Sequence, residues 1–128
     1  MSKNVDVVRA IYEAGKAGDL NAMLQHLDPQ VKCHEASSLP YGGEYEGHEG
    51  FSRLMSAVFS VFEAFAVEVK ELIDGGETVV AILDFRVTYK GSGRVVEMPI
   101  AEVWRLRDGK VVDLRPFYWD TAQLALSR

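Results

Sequence analysis

Residues 31 to 51, VKCHEASSLPYGGEYEGHEGF, carry an acid, Glu35, where a β-branched run gives way to a long loop rich in Gly and Tyr. A carboxyl pointing from a strand end into an apolar cavity is a candidate for chemistry, whereas one pointing into water is not. If Glu35 faces in, His34 faces out, because adjacent strand residues alternate between faces. Tyr41 and Tyr45 follow with Gly42 and Gly43 between them, the composition of a lid over a cavity mouth or of a solvated loop with two half-buried rings. Near the other end Asp120 follows Phe117, Tyr118 and Trp119. These three rings read as core and cavity wall, which suits planar or alicyclic ligands. Asp120, with Gln123 three residues on, also makes a capping box.

Other reactive residues read as structural. His26, His34, His48, Glu35 and Glu49 fit no recognised ligand spacing, so no metal is expected. KGSGR lacks the spacing of a phosphate loop and reads as a hairpin turn. Cys33 has no matched base and reads as a small buried apolar residue.

The elements that must position Glu35 follow from periodicity. Val5, Val8, Ile11 and Tyr12 recur at helical spacing, and Gly18 suits the left-handed stop. Asp19 caps a second short helix burying Leu20, Met23, Leu24 and Leu27, which Pro29 forbids from continuing. A first strand is expected over 31–36 and a third helix over 48–62. Beyond it the period changes to two. Turn signals at 74–77, 90–94 and 107–110 separate strands at 65–73, 77–90, 94–106 and 110–118, and Asp120 caps a last helical turn. On the third of these strands Glu102 and Trp104 share one face, Ala101 and Val103 the other. Helices first and an antiparallel meander after predict an α+β fold.

A length of 128 residues predicts one domain, 1–128, able to bury a substantial core. The 14 Lys and Arg are scattered against 19 Asp and Glu, net charge −5, which argues against nucleic acid. The longest apolar run is too short for a membrane span. One cysteine and a charged amino terminus make the cytoplasm the expected compartment.

The order of elements, AGDLNAMLQHLDPQV after the first helix, the helix start from Gly47 to Gly50, and DGKVVDLRPFYWDTA near the end resemble the NTF2-like superfamily nearly end to end. The likeness is to its ketosteroid isomerase and SnoaL-like (polyketide cyclase-like) branches. It implies a cone-shaped α+β barrel, N-terminal helices packed on a strongly curved, mostly antiparallel sheet that encloses an apolar cavity. Homodimers through the outer sheet face are common in such proteins. Aligned through AGDL without gaps, Glu35 falls where the isomerases carry their general-base Asp. Their oxyanion Tyr falls on Ile11, with Tyr12 one residue later, and their protonated oxyanion Asp falls on Ala101. Neither Ile11 nor Ala101 donates a proton, which argues against steroid isomerisation as such. The cyclases' His falls on Glu102 and their Asp on Pro116. Limonene epoxide hydrolases use a terminal-strand Asp, which Asp120 resembles, with an Arg and a second Asp that Arg86 and Asp84 would supply.

The expected function is therefore cofactor-independent isomerisation, cyclisation or hydrolysis of a small apolar or amphipathic molecule. Glu35 is the expected base, Tyr12 or Tyr41 the proton donor, and Asp120 a further catalytic acid. Tyr41, Met98, Ala101, Arg115, Phe117 and Trp119 are expected to line the ligand site. If Ala101 faces the cavity, Trp104 faces outward as a dimer contact, and a bulge would reverse this. A non-catalytic ligand-binding protein and a protein-interaction module are the alternatives.

Overall fold

A computed structural model describes residues 3–125. The order is α1 (Lys3–Lys16), α2 (Leu20–Leu24), β1 (Leu27–Glu35), β2 (Gly43–Glu46), α3 (Gly47–Val61), β3 (Phe62–Gly75), β4 (Thr78–Tyr89), β5 (Val95–Arg107), β6 (Lys110–Tyr118) and α4 (Thr121–Ala125). The six strands form one curved, unclosed sheet in the order β2-β1-β6-β5-β4-β3. Only β1 and β6 run parallel, and all other neighbours are antiparallel. The helices cover one face, as the α+β expectation requires.

Local chemistry explains most element ends. Gly18, at φ 73°, follows α1, and the Asp19 carboxylate accepts the Ala22 N–H at 3.0 Å to cap α2. Asp108 and Gly109 both have positive φ, 53° and 77°, the signature of the two-residue turn that joins paired strands without splaying them. The expected capping by Asp120 is present: its Oδ1 accepts the Ala122 N–H at 3.0 Å.

Two expectations in the first half need correction. The second helix ends at Leu24, and Leu27 is the buried first residue of β1. Pro29 lies within that strand, in the irregular stretch between the Leu27–Val111 and Lys32–Asp113 pairings, where a missing N–H breaks no ladder bond. The glycine-rich loop contains a strand, β2, which pairs Glu35 with Gly43 and Cys33 with Tyr45. The chain between β1 and β2 is a tight turn, in which Leu39 N–H donates to Ala36 O at 3.1 Å and Gly42 N–H to Leu39 O at 2.9 Å.

Alternation along β4 buries Val79, Ala81, Leu83, Phe85, Val87 and Tyr89 against the helices. β5 does the same with Val96, Met98, Ile100, Trp104 and Leu106. Phe62, 1% exposed, directly follows α3 and stacks edge-on with Tyr89 at 4.9 Å and with Tyr41 at 5.8 Å. Irregular pairing between Val69 and Glu71 in β3, and opposite Arg105 and Leu106 in β6, adds local twist to the sheet. Among the described residues no helix is long and apolar enough to cross a membrane.

The β1–β2 turn tolerates no side chain at Gly42, where a Cβ would lie 2.3 Å from the Ala36 carbonyl oxygen. Gly42→Ala is expected to cost roughly 2 kcal/mol or more. Gly18→Ala, in open space at positive φ, is expected to cost only about 1 kcal/mol. Urea unfolding midpoints at unchanged m-value check the pair; equal costs would contradict the steric argument.

Candidate functional site

Glu35 closes β1, and the buried Val31 and Cys33 before it fix its side chain on the inner face. Tyr118, last residue of β6, donates its phenol proton to Glu35 Oε1 at 3.0 Å. The hydroxyls of Tyr118 and Tyr41 are themselves 3.0 Å apart. Phe85 stacks edge-on against Tyr118 at 5.7 Å. Tyr41 is 2% exposed, and its carbonyl accepts the Tyr45 hydroxyl at 2.9 Å. Packing and that hydrogen bond make Tyr41 part of the inner wall rather than a movable lid.

A second acid faces the same interior. β5 alternates through Met98 and Ile100 without a bulge, so Glu102 and Trp104 point inward and Ala101 and Val103 outward. Tyr12 on α1 donates its hydroxyl proton to Glu102 Oε1. Trp104 Nε1–H donates to the Tyr12 oxygen at 2.8 Å, and the two rings meet edge-on at 5.4 Å. A phenol has one proton to give, and that of Tyr12 is committed to Glu102.

Electrostatics follow from this burial. Glu35 is raised from 4.5 to about 8, first by desolvation, then by the charge of Glu102, with the Tyr118 hydrogen bond pulling the other way. Desolvation also raises Glu102, opposed by the Tyr12 hydrogen bond. Coupled carboxyls titrate as a pair, so around neutrality they hold a proton between them. Cys33 is pushed up to about 12 by burial and by Glu35, which leaves it an unreactive thiol.

Among the described residues every fully buried side-chain nitrogen or oxygen has a partner. The hydrogen bonds of Glu35 and Glu102 engage Oε1 of each. The two Oε2 atoms therefore keep water-accessible surface. Glu102 is partly buried on the inner face.

The structure separates the remaining sequence candidates. Met98 is buried on the inner face, paired with Phe85. Ala101, Arg115 and Phe117 lie on the outer face, one residue out of phase with Glu102, Leu114 and Tyr118, which corrects their assignment to the ligand wall. Trp119, 78% exposed, lies past the end of β6 and lines no interior. Asp120 is occupied as a helix cap, with no hydrogen bond to either inner acid. Arg86 and Asp84 sit on the exposed outer face, Arg86 paired with Glu97 at 3.0 Å, so they do not join Asp120. Trp104, 3% exposed, is core rather than a dimer contact. His34 faces outward, bonded to Glu44 and, at 2.7 Å, to Asp113.

Sequence reasoning turned Glu102 outward, and it read Tyr118 as wall without its bond to Glu35. The signal for Glu102 was the apolar phase of Val96, Met98, Ile100, Trp104 and Leu106, which includes it. A surface cleft of about 620 Å³ runs past His26, His48 and Lys110. Two of its polar groups are used on backbone, His48 Nε2 against Leu27 O at 2.8 Å and Lys110 on Gln25 O, and it gathers no pair of buried acids, so the inner carboxyls are the stronger candidate.

Comparison with known proteins agrees with this architecture. The family model described as SnoaL-like domain matches residues 8–114. An NTF2-like protein of unknown function from Burkholderia pseudomallei is 31% identical, with the match covering 96% of this chain and 95% of that one at a TM-score of 0.89. An NTF2-like protein from Burkholderia thailandensis is 24% identical over 100% of both chains, TM-score 0.90. A protein with a ketosteroid isomerase-like fold from Catenulispora acidiphila, solved in complex with trimethylamine, is 17% identical over 94% of this chain and 89% of its own, TM-score 0.79. No curated protein matches. Since the family model spans most of the sequence and a 31% identical relative shares nearly its whole length, the chain belongs to the SnoaL-like domain family.

Proposed function

We propose that the chain is an enzyme that works without a cofactor, by acid and base chemistry between Glu35 and Glu102, on a mostly apolar small molecule. The observation that carries this reading is the pair of inner-face carboxyls, each with one oxygen held by a tyrosine and the other on accessible surface. Glu35, ionised, takes a proton from carbon beside a substrate carbonyl, and the C–H electron pair becomes the C=C of an enol. Glu102, protonated, gives its proton to the carbonyl oxygen. Return of one proton from Glu35 to another carbon of the conjugated enol, as the enol O–H gives its proton back to Glu102 and the carbonyl re-forms, completes an isomerisation; attack by the enol carbon on an internal carbonyl, whose oxygen takes the proton from Glu35 while the enol O–H returns its own to Glu102, completes a cyclisation. With water in place of the C–H acid, the same pair supports hydrolysis. Tyr12 acts through Glu102, which revises its expected role as direct donor.

Compartment and assembly belong to the same proposal. The lone buried Cys33 suits the reducing cytoplasm. A homodimer through the outer sheet face is supported by two apolar rows crossing the strands, Ile73–Val80–Val103 and Ile82–Ala101–Phe117. Phe117 is 55% exposed in the single chain, and charged residues including Arg86, Glu97 and Arg105 rim the rows, as at a protein interface.

Three outcomes are expected. In a screen of apolar ketones, lactones and epoxides, Glu35→Gln lowers kcat by about 10²–10⁴ and Glu102→Gln by about 10²–10³. The kcat/KM of the parent enzyme is bell-shaped in pH, because the productive state holds one proton on the pair: it rises as the first carboxyl ionises and falls above about 8, where the last proton is lost. Undiminished turnover by Glu35→Gln would end the assignment.

Stability carries the same signature. Folded Glu35 keeps its proton up to about pH 8, whereas its ordinary value is 4.5. Between those values the native state binds the extra proton, so this stabilisation is present below the lower value and lost as pH rises through the upper one. Urea unfolding is expected to show stability falling by on the order of 3 kcal/mol from about pH 5 to 9, and a flatter profile for Glu35→Gln.

Light scattering is expected to give twice the chain mass, and Val103→Glu with Phe117→Glu the single mass. A parent protein that stays monomeric at micromolar concentration would remove the dimer.

A further inference from the structure

The base reading leaves open what fixes the geometry of Glu35, a carboxyl at a strand end with rotatable bonds of its own. We propose that Tyr118 is the positioning residue of Glu35, binding Oε1 through its phenol so that Oε2 is the atom that exchanges protons with the ligand, and that Tyr41 sets the direction of that phenol. This rests on the acid and base reading of the site.

Proton counting supports the direction. Tyr118 has one hydroxyl proton, and with Glu35 ionised it points to Oε1 at 3.0 Å. Its oxygen then accepts from the Tyr41 hydroxyl, also at 3.0 Å, so the chain runs from Tyr41 through Tyr118 to Glu35, each bond polarising the next. Both rings are held independently of these bonds. Tyr118 packs edge-on to Phe85 at 5.7 Å, and Tyr41 edge-on to Phe62 at 5.8 Å. The Tyr41 backbone is fixed in turn by the Tyr45 hydroxyl on its carbonyl and by Gly42 closing the turn against Ala36. A carboxylate gripped at one oxygen by a donor of fixed position loses the freedom that would otherwise average its reach.

The titratable groups facing Glu35 come from every element around it: Glu102 of β5, Tyr118 of β6, Tyr41 of the turn, Tyr45 of β2 and Cys33 of its own strand. Glu102 acts in the opposite sense to Tyr118, since its charge disfavours ionisation of Glu35 while the phenol favours it. Removing the phenol alone therefore has a defined sign.

The test is a pH titration of the Glu35 side-chain carboxyl carbon by NMR, assigned against Glu35→Gln, in the parent protein, Tyr118→Phe and Tyr41→Phe. Tyr118→Phe keeps the ring packing and is expected to raise the Glu35 midpoint by about one pH unit, with Tyr41→Phe giving a smaller rise. Site-specific 3-fluorotyrosine at 118, a stronger donor with the same fold, is expected to move the midpoint down. An unmoved midpoint in Tyr118→Phe, or a rise with fluorotyrosine, overturns the positioning role while leaving the base reading intact. A parent midpoint near 4.5 that still rises in Tyr118→Phe supports the positioning role and removes the base reading instead. If Tyr118→Phe fails to fold, the fluorotyrosine protein decides by itself.

Discussion

A carboxyl removed from water costs several kcal/mol unless the protein replaces its hydration, and this chain places two, Glu35 and Glu102, on the concave face of one sheet. Each is met by a tyrosine hydroxyl from a different element, Tyr118 of β6 and Tyr12 of α1. The rest of the interior is arranged around those two bonds. Trp104 and Tyr41 saturate the phenol oxygens, and Phe62 and Phe85 hold the rings in place by edge-on contacts. One phenol per acid satisfies one oxygen of each and leaves the other with no side-chain hydrogen bond among the described residues.

The phase of the strands makes this arrangement possible. A single residue of slip in β5 would turn Ala101 inward and expose both Glu102 and Trp104. The β4 pairing prevents it, because Phe85 opposite Met98 and Leu83 opposite Ile100 bury four large side chains only in this register. The acid is thus held inside by the apolar neighbours that make it costly there.

The outer face of the sheet differs in chemistry from the inner one. Residues that alternate with the inner wall, Ala101 with Glu102 and Phe117 with Tyr118, form an apolar surface carrying none of the candidate chemistry. A substitution there reaches the interior only through the backbone, so the two faces can vary independently along the same strands.

Much of the fold was legible in the chain itself. Helical spacing from Val5 to Tyr12, Asp19 and Asp120 as caps, and glycine turns between alternating runs place four helices and the four-strand meander within a few residues, because these signals are local. Glu35 was also legible, since Val31 and Cys33 set its face by alternation. What only the tertiary structure decided depends on contacts distant in sequence. Tyr12 lies 90 residues from Glu102 and Tyr118 lies 83 from Glu35. A gap-free alignment put the isomerases' donor positions on Ile11 and Ala101, whereas the β5 register turns the neighbouring Glu102 inward and α1 brings Tyr12 onto it. The strand β2 was hidden because Gly43–Glu46 is too short and polar to show alternation and exists only by pairing with β1. Local sequence determined which elements form and which face each presents; packing between strands decided which acid meets which phenol, because a hydrogen bond is set by where two backbones place their side chains.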